Sequence, residues 1–378
     1  MSAWLLVAGD FVPYGGMDVA NYNLARYLAR EPAADVHLVT HRASQDLHRL
    51  PNVFVHRAAR PLGGHRLGEP LLRLVAGRWR RKLLGGGVRT IANGGNTDAG
   101  DVNWVHYVHA AYDPRSARGR RAFLRGVSHT RYLHEEAQAL RRARVVICNS
   151  RRTADDVVAR VGVPRERTRV VYYGADAVGF GPVGAGDRAA ARRALGMSDD
   201  RRLALFVGAL GDRRKGFDTL FAAWCELCRR GDWDVDLLVA GTGAEAAWWM
   251  NAAAARVPGR ITFLGFRRDV PTLLAAADVL IHPARYEAYG LAVHEALCRG
   301  IPAIVSRRSG VAERYPAALE PLLLDDCESV SELRTRLMTW RDCGPEPITM
   351  AALSASLRAR TWDHMASDIA AVVRGAAA

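Results

Sequence analysis

The sequence predicts an α/β protein of two doubly wound domains, each a parallel sheet covered by helices. Three observations lead there. Short apolar runs alternate with amphipathic stretches along the whole chain, the pattern of parallel strands joined by helical crossovers. The alternation breaks in a glycine-rich stretch over residues 174–190 and then restarts. With 378 residues, the chain is about twice as long as a usual single domain.

Taken in order, the first-half strands are AWLLVAG, DVHLVT, VFVH, DVNWVHYVH, RVVICNS and RVVYYG. The opening run reads as a buried strand: AWLLVAGD carries no basic leader or cleavage site, and no segment approaches the apolar length needed to span a bilayer. The second-half strands are LALFVG, DVDLLVAG, RITFLG, DVLIHP and PAIVS. Between the two sets, GADAVGFGPVGAGDRAA has no hydrophobic period and ends where RAAARRAL starts an amphipathic helix, so it is the expected linker. The expected domains are therefore 1–180 and 190–358. In Rossmann-like sheets of this kind ligands bind outside the carboxyl ends of the strands, so active residues are expected just after strands, facing a cleft between the domains.

Composition narrows the function classes. Hydrophobic residues at 49% and charged residues at 24% describe a soluble globular protein. A net charge of +14 favours anionic partners, whether phosphorylated small molecules, anionic lipid or nucleic acid, although the arginine excess of an alanine-rich chain also fits genome composition. The six cysteines are too scattered for a disulfide framework, which suits a reducing cytoplasm. Cys225 and Cys228 in WCELC lie in a helical pattern without a second pair, and read as packing residues, not zinc ligands. No acidic metal motif and no P-loop occurs, so neither a metal nor a cofactor is expected.

Candidate site residues follow the strands. After AWLLVAG, the turn FVPYGGMDVANYNLARYL offers Gly16 for close backbone approach to a ligand, and Asp18 either contacts a ligand or caps the helix that begins there. After DVNWVHYVH come two histidines; strand alternation puts His106 and His109 on opposite faces, so one of them faces the cleft unless the strand has already ended. After LALFVG, the loop GALGDRRKGFD sets Gly208 before Arg213, Arg214 and Lys215, a basic cluster suited to a diphosphate or to a solvated loop. Phe266 and Arg267 follow RITFLG, at the end of another strand.

The stretch RYEAYGLAVHEALCRG, residues 285–300, carries most of the functional argument. Gly290 and Leu291 begin a helix whose start offers free N–H groups to an anion, with Tyr289 immediately before it. At about 100° per residue, Val293, Ala296, Leu297 and Gly300 share one face, and Glu295 lies about 200° from Val293, off the packed face. With the diphosphate between loop and helix start, Glu295 is set to accept from the two hydroxyls of a ribose, and Glu287 from the group to be transferred.

These motifs resemble the retaining glycosyltransferases of GT-B fold, in particular glycosyltransferase family 4. The Glu-x7-Glu signature matches Glu287 and Glu295 in PARYEAYGLAVHEALCRGIPAIVS, and the turn after it matches SGVAER, with Gly310 and Glu313. The GG turn, the histidine of VHYVHAAYDP, CNSRRTADDV, YYGAD, the basic loop and a closing helix led by Trp362 extend the likeness over nearly the whole chain. Three departures stand out: Ala209 replaces the family's usual arginine, Ala288 a common proline and Tyr173 a common asparagine. The resemblance implies a metal-independent hexosyltransferase that uses a nucleoside-diphosphate sugar, UDP before GDP, and a hydroxyl acceptor on a glycan, a lipid-linked glycan or a small molecule. It implies Glu287, His109, Lys215 and Arg214 as catalytic groups, favours His109 over His106, and gives Asp18, His106 and Tyr112 to the acceptor. It also implies that the last helix, residues 360–378, crosses back to the first domain, with hinges near residues 174–190 and before that helix.

EPLLRLVAGRWRRKLLGGG, residues 69–87, sets Leu71, Leu72, Val75, Trp79 and Leu83 on one face among Arg73, Arg78, Arg80, Arg81 and Lys82. Such a helix either docks peripherally on an anionic membrane, at the inner face of a cytoplasmic protein's membrane, or packs on its own sheet. Two rival functions stand beside the transferase: a non-catalytic polyanion-binding or scaffolding protein, and a nucleotide-sugar epimerase of the same fold. No nucleic-acid partner is expected.

Overall fold

The computed structural model describes residues 2–63, 65–98, 100–112 and 120–377. It divides into two compact units, Met1–Gly174 together with Arg360–Ala378, and Ala175–Ala359. Each unit is built on one parallel sheet.

In the first unit the spatial order of strands is Val53–Arg57, Ala34–Thr40, Ser2–Val7, Arg89–Asn93, Val102–Val105, Val145–Cys148 and Thr168–Val170. Chain order reverses beside Ser2–Val7, so the crevice for a ligand opens at the end of that strand, where Gly9–Gly16 leads into the helix Gly16–Leu28. Arg89–Asn93 is a central strand with no counterpart among the expected apolar runs. Its polar residues hid it: Thr90 and Asn93 are buried, and the Asn93 amide donates to Asn21 Oδ1 at 2.8 Å. Buried polar groups that are satisfied in this way cost a strand little.

The second unit orders its strands Ile261–Gly265, Val235–Ala240, Arg202–Val207, Val279–His282, Ala303–Ser306 and Leu323–Leu324. Its reversal point lies between Arg202–Val207 and Val279–His282, and the basic loop and the Glu287 loop leave from these two strands.

Two of the expected elements take a definite place here. The glycine-rich stretch is not a free linker along its length: beyond Gly174 it folds with the second unit, Val183 N–H donating to the Arg299 carbonyl at 3.2 Å and the Arg299 guanidinium to the Gly179 carbonyl at 3.0 Å. The basic amphipathic helix, His65–Leu83, packs on its sheet. Leu72 and Ala76, with Val75, Trp79 and Leu83 beside them, cover Leu5, Val7 and Val39, and Trp79 stacks on the His56 ring at 3.5 Å. Leu72, Val75, Trp79 and Leu83 of the expected membrane face are thus used by the core. No helix among the described residues is long and apolar enough to cross a membrane.

The closing helix Trp362–Ala377 belongs to the first unit and packs on Gly16–Leu28 through Met365, Ile369, Ala370 and Val373, all buried. An Arg30–Asp363 ion pair ties its start, and Trp362 lies 6.0 Å from the Tyr173 ring. Docking depends on the glycine of YYGAD. A Cβ on Gly174 would stand 2.3 Å from the Thr361 carbonyl carbon and oxygen, backbone that has no room to yield. Gly174→Ala is therefore expected to loosen the closing helix at a cost of about 1–3 kcal/mol. Thermal denaturation and amide exchange in residues 360–377 check this, and an unchanged melt with full protection there contradicts it.

Candidate active site

At the end of Val279–His282 the chain turns through Pro283–Gly290 and enters the helix Leu291–Cys298. Gly290 has φ +104°, a left-handed conformation that a side chain resists, and it faces Val311 closely. The turn is fastened from below by the SGVAER segment: Gly310 N–H donates to the Glu287 carbonyl at 3.1 Å, and Val311 N–H to the Tyr289 carbonyl at 2.7 Å. The Tyr289 ring is buried and its hydroxyl meets His294 Nδ1 at 2.9 Å, so only its backbone is left for a ligand.

The basic loop approaches from the neighbouring strand. Gly216, at φ +72°, brings it against the Glu287 loop so closely that a Cβ there would lie 2.0 Å from the Pro283 carbonyl oxygen. On its other side the loop interlocks with VAGTG: Gly208 N–H donates to the Ala240 carbonyl and Leu210 N–H to Thr242, each at 3.0 Å, while Cβ atoms on Gly241 and Gly243 would strike the Gly208 and Leu210 carbonyls. Three glycines thus bring the backbones of adjacent loops into contact.

What this positions is a charge cluster. Lys215 Nζ donates to Glu287 Oε2 at 2.5 Å, and His282 Nε2 stands 3.3 Å from the same oxygen. Burial alone would raise the Glu287 pKa. Lys215, the His282 hydrogen bond and the charge of Arg214 outweigh it and hold the carboxyl well below its ordinary range, so Glu287 is ionised at working pH. Arg214 rests on Asp212, with Nη2–Oδ2 at 3.0 Å. Glu295 is the opposite case. Burial, with the negative charge of Asp176 second, pushes its carboxyl up to about 8. Phe266 is exposed, and Arg267 pairs with Asp269 at 2.8 Å.

Two residues here escaped the sequence reading. Arg285 clamps the basic loop to the Glu287 loop: its guanidinium donates to the Arg213 carbonyl at 2.5 Å and to Asp218 at 2.8 and 2.9 Å, and its N–H donates to the Arg214 carbonyl at 2.8 Å. His282 ends a strand, and the strand-end rule that picked His106 and His109 points equally to it.

In the first unit the strand ends at Val105, so alternation does not sort His106 from His109; both follow it. The His106 ring meets the Tyr173 hydroxyl at 2.5 Å, and burial pushes its pKa down to about 3, which keeps it neutral. His109 lies in a short helical turn, half-exposed, with Nδ1 3.1 Å from Oε1 of the buried Glu136. The same oxygen accepts the His109 N–H at 2.9 Å and the other carboxylate oxygen accepts the Ala110 N–H at 3.3 Å. Glu136 was not anticipated from sequence; it holds the ring through Nδ1. Tyr112 follows this turn, partly buried. Gly16 is the first residue of its helix, and Asp18 neither bonds nor pairs with any described residue; burial, reinforced by Asp10 against Arg42 and Arg60, pushes it up to about 6.

Comparison with known proteins bears directly on this arrangement. Residues 14–178 match the model described as Glycosyltransferase Family 4, and residues 201–338 match the one described as Glycosyl transferases group 1. The chain belongs to glycosyltransferase family 4. Among curated relatives of this family 4 glycosyltransferase is the D-inositol 3-phosphate glycosyltransferase of Salinispora tropica, 27% identical over 94% of this chain and 80% of the relative. Among solved structures, WaaG, a glycosyltransferase involved in lipopolysaccharide biosynthesis, superposes with a TM-score of 0.73 at 19% identity, covering 99% of this chain and 100% of that one. The Anabaena protein HepE in complex with UDP-glucose gives a TM-score of 0.72 at 20% identity over 99% and 100%. These similarities over whole chains establish the GT-B fold for this family 4 glycosyltransferase.

Gly216→Ala is expected to displace the basic loop from Pro283 and to destabilise the second unit by about 1–3 kcal/mol. Thermal denaturation reads the loss; an unaltered melting temperature would show that the loop yields freely.

Proposed function

We propose that the protein is a retaining glycosyltransferase that moves a sugar from a nucleoside-diphosphate donor, UDP before GDP, to a hydroxyl acceptor, without a metal ion. The observation that carries this reading is the Lys215–Glu287–His282 cluster at the strand reversal of the second unit, with a helix start and Glu295 in register beside it. UDP is supported by the HepE complex, whose ligand is UDP-glucose.

The chemistry follows from the charges. Breaking the bond from the sugar's anomeric carbon to the diphosphate oxygen leaves negative charge on the diphosphate. Lys215, Arg214 and the N–H groups at the start of Leu291–Cys298 are suited to stabilise it, as fixed donors do for developing anions. Positive charge builds on the sugar, and the ionised Glu287 offsets it and accepts from sugar hydroxyls. The acceptor oxygen attacks from the face that the diphosphate leaves, and its proton passes to the departing phosphate oxygen, so configuration is retained. His109, oriented by Glu136, is suited to bind an acceptor hydroxyl through Nε2.

Turnover of UDP-glucose tests the cluster. Lys215→Ala is expected to lower kcat by about 10²–10³-fold, the size of effect seen when one fixed donor to a developing anion is removed. Glu287→Gln should fall comparably while thermal denaturation shows a folded protein. Normal turnover by both variants would reject the assignment.

Glu295 gives a second test, by pH. Ribose hydroxyls donate to a carboxylate, so UDP binding favours the ionised form of a group that is mostly protonated below about 8. Binding must then release a proton, and affinity should rise with pH up to about 8, by up to about tenfold per unit, and level off above it. Calorimetry in two buffers of different ionisation enthalpy measures this, and Glu295→Gln should abolish it. Equal heats in both buffers would refute it.

A further inference from the structure

Behind the basic loop, the second unit holds a cavity of about 540 Å³ that the donor reading does not use. Its lining includes Arg213 and Asp212 but neither Lys215 nor Glu287. It opens between the starts of the helices Phe217–Cys228 and Ala246–Arg256, which follow the strands Arg202–Val207 and Val235–Ala240.

One wall is aromatic and rigid. Trp249 is buried, edge-on to Phe217 at 5.1 Å and 89° and to Phe221 at 5.1 Å and 61°. It in turn props Trp248, whose ring lies 4.4 Å away at 81° and is 58% exposed. A tryptophan held rigidly beside a cavity with its ring in water offers an apolar platform at little entropic cost. Acidic side chains share the lining: Asp212, Asp218 and Glu245, the last standing three residues before Trp248 at the start of the same helix. Asp218 is satisfied by Arg285 and Arg213, and Asp212 by Arg214, whereas Glu245 has no ion pair or side-chain hydrogen bond among the described residues and does not cap its own helix. Gly211, at φ +109°, keeps the floor open next to the Glu245 side chain.

Charge selects the class of ligand. Asp212, Asp218 and Glu245 disfavour an anion, and the positive end of the helix Phe217–Cys228 is already answered by Asp218 in its first turn. The neighbouring Arg213, Arg214 and Lys215 disfavour a cation. A neutral ring with one apolar face and hydroxyls around its edge suits a tryptophan platform with a free carboxylate beside it. We propose that this cavity is a carbohydrate subsite that takes a neutral sugar ring, stacked on Trp248 and hydrogen-bonded to Glu245, separate from the donor site. It stands independently of the donor assignment.

Saturation-transfer NMR and tryptophan fluorescence on the full chain test it, with methyl α-D-glucopyranoside, methyl α-D-mannopyranoside and maltotriose as probes and UDP present in excess to fill the donor site. At least one probe should bind saturably, and Trp248→Ala, at an exposed position, should weaken it about tenfold or more. Glu245→Gln should weaken it several-fold, and neither variant should change the thermal shift produced by UDP. The proposal is overturned if no probe binds saturably, if Trp248→Ala binds as well as the parent, or if that variant loses UDP instead.

Discussion

A carboxylate set beside a buried histidine, with only 15% of its side chain exposed, is tolerable only if a cation answers it, and Glu287 is answered by a lysine 72 residues earlier in the chain. That single requirement joins two loops from adjacent strands on either side of the sheet's reversal point. Had Glu287 been solvated, the basic loop would be held to its neighbour by Arg285 alone among these charged contacts. Because both side chains are largely buried, the lysine is held in one place against the carboxylate.

The pair would not form without the shapes around it. Gly216, Gly241 and Gly243 each remove a side chain at a point where two backbones touch, so the basic loop is gripped on both flanks. Arg285 adds a polar clamp over the same joint, its planar head reaching a carbonyl and a carboxylate together. Its neighbours within the segment serve different ends: Tyr289 is buried for packing, Gly290 allows the turn, and Glu295 lies one helical turn on in a poorly solvated place.

Much of this was legible in the sequence because it rests on local pattern. Alternating apolar runs gave the two parallel sheets, and the Glu-x7-Glu spacing around a glycine gave the loop and helix that carry Glu287 and Glu295. What escaped depended on partners far along the chain. Arg89–Asn93 looks too polar for a central strand until Asn21 is seen to accept from the buried Asn93 amide. Glu136 sits in the middle of an unremarked helix, and only its contact with His109 gives it meaning. The basic helix His65–Leu83 has the same periodicity whether its apolar side meets lipid or sheet, so sequence left two readings and the core decided between them.

The way the last helix is joined to YYGAD bears on the order in which the protein matures. The second unit is one unbroken stretch, Ala175–Ala359, whereas the first is made of two pieces separated by all of it. As the chain leaves the ribosome, the later unit has all its residues while the earlier one still lacks the helix that covers Gly16–Leu28. The half of the enzyme that is synthesised first is therefore completed last, and until then Met365, Ile369 and Val373 have no partners and the helix they will cover stays wet.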